Sequence, residues 1–72
     1  MIVEQAKAIL MGFLSTMCDE KYPIAWVGDV AEDRPATFIL EGNIHAENED
    51  PRDDYNHFFV NKDDGSCGFL IE

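Results

Sequence analysis

The chain changes its hydrophobic period once, at Pro23, and that change limits the folds open to it. Before the proline, Ile2, Val3, Ala6, Ile9, Leu10, Phe13, Leu14 and Met17 recur at three- and four-residue intervals. At 100° per residue they share one arc roughly 140° wide, the apolar stripe of an amphipathic helix over about residues 2–20. Pro23 should end it, because the residue before a proline is pushed out of helical angles.

Beyond Pro23 the pattern becomes short runs rich in β-formers. IAWVGDV (24–30) is a first expected strand, with Trp26 and Val30 on one face if Gly28 is not a bulge. ATFILEG (36–42) is a second, in which Phe38 and Leu40 alternate with Thr37, Ile39 and Glu41. AEDRP is a polar hairpin link between the two, and 43–46 extends the second strand past an expected bulge at Gly42. YNHFFVN (55–61) and SCGFLIE (66–72) form a second hairpin through KDDGS, where Gly65 suits a positive φ. The expected fold is α+β: one helix packed on a four-stranded, mainly antiparallel sheet built from two hairpins, in one domain spanning 1–72.

A chain of 72 residues hides only about 60% of the surface its unfolded form exposes, so its core is small. Five Phe, two Tyr and one Trp nevertheless make it too apolar for a disordered segment. A dimer or a partner would relieve the shortage of core.

The net charge of −10 is unevenly spread. Residues 1–27 hold three acids and two bases; residues 28–72 hold twelve acids against Arg34, Arg52 and Lys62. Such a field argues against direct binding to nucleic acid or an anionic membrane, both of which need basic surface, and favours a basic protein partner. The first residues carry Glu4 and Lys7 and lack a basic leader region, and the longest apolar run, AILMGFL, is far too short to span a membrane. With no secretion signal, Cys18 and Cys67 are expected reduced, and the chain cytoplasmic.

The stretch HAENEDPRDDYNH (45–57) sets five carboxylates between two histidines. As a calcium loop it lacks the required glycine, and Pro51 and Arg52 break the alternation of oxygen ligands. Zinc would need His45 and His57 to meet at the neck of the loop, with further ligands converging. Cys18 or Cys67 with a histidine supplies the residue types of a thiol hydrolase, but not the preorganised pocket. No phosphate loop, GxSxG or HExxH motif is present. No enzyme activity, metal or cofactor is therefore expected.

What remains is interaction. Glu47, Glu49, Asp50, Asp53 and Asp54, with Tyr55 as an anchor and Asp63 and Asp64 in the following turn, form the expected partner-binding set. Their charge suits a small inhibitor or regulator of a basic, nucleic-acid-handling target, acting by nucleic-acid mimicry in the manner of phage- or mobile-element-borne proteins. The alternative is an assembly subunit or homodimer using a second helix face, where Ala8, Met11, Gly12, Ser15 and Thr16 are small or uncharged. On that reading the acids only solubilise.

Overall fold

In a computed structural model of the chain, which describes residues 1–71, helix α1 (Val3–Ser15) lies across one face of a four-stranded antiparallel sheet. The strands β1 (Ile24–Asp33), β2 (Thr37–His45), β3 (Asn56–Asn61) and β4 (Cys67–Phe69) stand in chain order, so the sheet is a meander of two hairpins joined between β2 and β3. The expected α+β class and hairpin pairing are both present.

Helix α1 starts where the Ile2 N–H donates to the Gln5 side chain (2.9 Å). It stops at Ser15 rather than near residue 20. The Ser15 hydroxyl donates to the Met11 carbonyl (2.7 Å) and the Thr16 hydroxyl to that of Phe13 (2.6 Å). Hydroxyls that occupy the last-turn carbonyls compete with further helical bonds. Asp19 then accepts the N–H groups of Lys21 and Tyr22 (2.9 and 2.8 Å) and fixes a turn before Pro23. Met17 still packs on the core, but from outside the helix.

Ala6, Leu10 and Leu14 meet Phe38, Leu40, Phe58 and Val60 to form the buried core. Side chains of the helix and of β3 crowd Gly42, where a β-carbon would sit 3.1 Å from Leu14 and 3.3 Å from Phe58. On the far side of α1, Gly12 has no neighbour within 4 Å of where a β-carbon would stand. Gly12→Ala should therefore raise unfolding free energy by about 0.5–1 kcal/mol in a urea titration, since only the conformational cost of glycine is removed.

The strands depart from their expected bounds in instructive ways. β1 runs on to Asp33, absorbing most of the AEDRP link, so the hairpin turns only at Arg34 to Ala36. Its register with β2 shifts twice, between Val27 and Val30 and between Val30 and Glu32. The bulges thus lie in β1, while Gly42 pairs regularly with both Val27 and Asn56. The shifts place Val30 opposite Leu40 on the helix face and Trp26 opposite Asn43 on the other, so the two do not share a face. Gly28 permits this bend, because a β-carbon there would stand 2.5 Å from the Trp26 ring.

β2 reaches His45, β3 begins at Asn56, and β4 covers only Cys67–Phe69 of the expected 66–72. Glu72 lies outside the described residues. Gly65 takes a φ of +73° in the β3–β4 turn, as the KDDGS sequence requires. Ile39, on the sheet face away from α1, is only 2% exposed, so that face has apolar cover of its own. No helix among the described residues is long and apolar enough to cross a membrane.

Candidate functional site

The five acids of the 46–55 loop stand together at one end of the sheet, and all are exposed. The loop's own backbone shapes them. Glu49 accepts the Ala46 N–H (2.9 Å) while its N–H returns to the Ala46 carbonyl (3.1 Å). Asp50 accepts the Arg52 N–H (3.0 Å), and Asn43 donates to the Asp54 carbonyl. Glu49 and Asp50 are thus partly structural acceptors, whereas the side chains of Glu47, Asp53 and Asp54 have no such task among the described residues.

The Asp19–Tyr22 turn joins this end. Tyr22 lines a cleft of about 260 Å³ with His45, Glu49, Asp50, Pro51 and Asp54. Asp19 and Glu20 therefore add to the loop acids, giving seven carboxylates against Lys21 and Arg52, a local net charge of −5. No ion pair joins either base to these acids among the described residues. Composition alone did not attach residues 19–22 to the loop; the pairing of Ile24 with His45 does.

Asp63 and Asp64 are not part of this surface. They follow β3, whereas the loop precedes it, so the six-residue strand separates them from the loop by about 20 Å. They share the opposite end with Glu32 and Asp33, where Arg34 pairs with Glu32 (3.0 Å) and Lys62 with Asp33 (2.5 Å). That end holds four acids against two bases, a local net charge of −2, and both bases are ion-paired. Asp64 accepts both the N–H and the hydroxyl of Ser66 (2.9 and 2.8 Å), which hold its carboxyl below the usual range. Because its folded pKa is depressed, its contribution to stability is present above the unfolded value and fades as pH falls through the folded one. Ser66→Ala should move the Asp64 carboxyl midpoint upward in an NMR pH titration.

Tyr55 flanks the acidic end and is 37% exposed. Its ring rests against Trp26 (6.0 Å between centroids) and His57 (5.7 Å), forming an aromatic ledge on the sheet face opposite α1. Trp26 and Tyr55 also line a cleft of about 380 Å³ with Lys7, Asp29, Glu41 and Arg52. Glu41 there accepts the Asp29 N–H (3.3 Å), pinning the β1 bulge to β2. Trp26 was absent from the expected interface set; its residue type, common in binding hot spots, was the available signal.

The histidines do not converge. His57 faces Glu41 across β2 and β3, while His45 lies four residues further along β2, about 13 Å away. His45 Nδ1 instead contacts the Ala46 carbonyl (2.7 Å). Among the described residues no three His, Cys, Asp or Glu side chains gather in a way that could hold a metal ion. Cys18 and Cys67 are unbridged and half-buried; burial pushes the Cys67 thiol up. Ala8, Met11, Gly12 and Ser15 on α1, and Thr16 just past its end, are all exposed. No protein-family model, curated protein or solved structure matches the chain.

Proposed function

We propose that the chain is a small acidic protein-binding module that docks a basic, nucleic-acid-handling partner through the Asp19–Tyr22 turn and the 46–55 loop, and so inhibits or regulates it. The observation that carries this reading is one end of the fold with seven acids, two bases and no ion pair between them among the described residues, bordered by the exposed Tyr55 on Trp26. A purely solubilising charge needs no such segregation, and the opposite end, with four acids against two ion-paired bases, carries only −2. The carboxylates would steer encounter and the aromatic ledge would provide the desolvated anchor.

Net charge against length supports mimicry of a nucleic acid strand. The chain carries −10 along a 36 Å axis, one charge per 3.6 Å. A DNA strand carries about one per 3.4 Å and a duplex about one per 1.7 Å. Averaged over the whole molecule the density is near that of a strand and half that of a duplex, with half of the net charge gathered at the acidic end. A module of this kind suits a phage or mobile element acting on restriction, CRISPR or transcription proteins. Affinity capture at low salt, followed by titration of the retained protein against rising salt, tests the reading.

A second reading is an assembly module that joins a larger complex through the α1 face. The exposure of Met11 (39%) beside the open Gly12 position favours it. Capture of a complex that is lost in Gly12→Arg but unaffected by the acids would select it.

A further inference from the structure

The chain has five Lys and Arg residues, and three of them have partners. Arg34 pairs with Glu32, Lys62 with Asp33, and the Lys21 ammonium lies over the Tyr22 ring, 5.3 Å from its centroid. The side chains of the other two, Lys7 and Arg52, pair with no acid and no ring among the described residues. They are far apart in sequence, yet both line the cleft of about 380 Å³ beside Trp26 and Tyr55.

Four parts of the fold converge there. Lys7 comes from α1, Trp26 and Asp29 from β1, Glu41 from β2, and Arg52 and Tyr55 from the 46–55 loop. The bulge at Gly28 shapes the floor. A β-carbon at that position would stand 2.5 Å from the Trp26 ring and 2.8 Å from a Glu41 carboxylate oxygen, so glycine lets ring and carboxylate share the space. That Glu41 oxygen accepts the Asp29 N–H (3.3 Å). Its other oxygen and the Asp29 carboxylate accept nothing among the described residues. The Trp26 and Tyr55 rings are tilted by 55° rather than stacked, so neither hides the other's face.

These contents select a kind of ligand. Two bases stand with two acids, a local balance of zero. A simple cation would be repelled by Lys7 and Arg52, and a simple anion would have to enter the field of a molecule carrying −10. A zwitterion meets neither obstacle, because each of its ends finds opposite charge. The two rings favour a planar apolar body on the same molecule, through offset or edge contact. The volume falls within the range of small-molecule sites, about 300–1,000 Å³.

We propose that this cleft binds a free aromatic α-amino acid, its carboxylate on Lys7 and Arg52, its ammonium on Asp29 and Glu41, and its ring against Trp26 and Tyr55. The inference does not rest on the basic-partner reading, whose carboxylates belong to the loop and to the Asp19–Tyr22 turn. The two share only the aromatic ledge, where a bound amino acid should compete with a docked protein.

Trp26 is the chain's one tryptophan, so its fluorescence, together with the NMR signals of its indole N–H and the Gly28 amide, reads the cleft of the full chain directly. L-Phenylalanine should shift these signals saturably, with half-saturation at about 0.1–1 mM, the range a ligand of this size reaches. Phenylalaninamide, which keeps only the ammonium, N-acetylphenylalanine, which keeps only the carboxylate, and glycine, which has no ring, should each bind about tenfold more weakly. Arg52→Gln and Asp29→Asn, both at exposed positions, should each weaken L-phenylalanine about tenfold, while Lys21→Gln, outside the cleft, leaves it unchanged. No saturable shift up to about 10 mM overturns the proposal. So does phenylalaninamide binding as well as L-phenylalanine, which would make the cleft a seat for a basic or N-terminal group, or N-acetylphenylalanine doing so, which would make it an anion site. Glycine matching L-phenylalanine, or binding indifferent to both cleft variants, overturns it too. If circular dichroism shows a variant unfolded, the ligand series on the wild type decides alone.

Discussion

Phe58→Ala is expected to cost about 3–5 kcal/mol, enough to leave most of the chain unfolded at room temperature in modest urea. Phe58 is 1% exposed and sits where three elements meet. Its ring lies edge-on to Phe13 of α1 (6.3 Å between centroids) and against Phe69 of β4 (4.6 Å), and its strand position faces Leu40 of β2. Truncation opens a cavity beneath the helix and removes the ring that joins β4 to the core. A domain of 72 residues commands about 4–11 kcal/mol in all, so one side chain holds a large share of it. Urea unfolding followed by Trp26 fluorescence checks this. A loss under about 1 kcal/mol would mean that the core does not centre on Phe58.

The second large effect concerns binding. Reversing Glu47, Asp53 and Asp54 together to lysine changes the local charge at the acidic end from −5 to +1. Affinity for a basic partner should fall about tenfold to a hundredfold at low salt, mostly through slower association. The fold should barely respond, because these exposed side chains accept no backbone hydrogen bond among the described residues, and surface substitutions of that kind shift stability by about 0.5 kcal/mol or less each. Glu49→Lys and Asp50→Lys make a useful contrast. They also remove acceptors for the Ala46 and Arg52 N–H groups, so they should loosen the loop itself. Surface plasmon resonance for association rates, with thermal unfolding alongside, separates the two kinds of loss.

The parts of the fold that follow from short-range periodicity were legible in the sequence. The stripe through Leu10 and Leu14 and the alternation of Phe38 and Leu40 point to the faces that meet in the core. KDDGS specified its turn through the positive φ of Gly65. The misplaced features depend on contacts between distant residues or on local hydroxyls. Ser15 and Thr16 end the helix by capturing carbonyls, which a proline-based rule does not see. The first β1 bulge, between Val27 and Val30, lies where Trp26 closes over Gly28 and Glu41 bonds to Asp29 across the ladder.

The candidate site was legible in the same partial way. The loop acids and Tyr55 stand together because they are neighbours in sequence. Sequence distance groups Asp63 and Asp64 with them, yet β3 carries the chain to the other end of the sheet. Asp19, Glu20 and Tyr22 arrive only through the pairing of β1 with β2, and their contribution is invisible until that register is known.

The most direct test of the account is the salt dependence of binding between the chain and the protein it captures. Equilibrium titrations from about 0.05 to 0.3 M salt should show affinity falling steadily as screening increases. The Glu47, Asp53 and Asp54 triple reversal should abolish most of that dependence together with the affinity. Binding that is flat across this range and unchanged in the triple variant would contradict the account and leave the acidic end a solubilising surface.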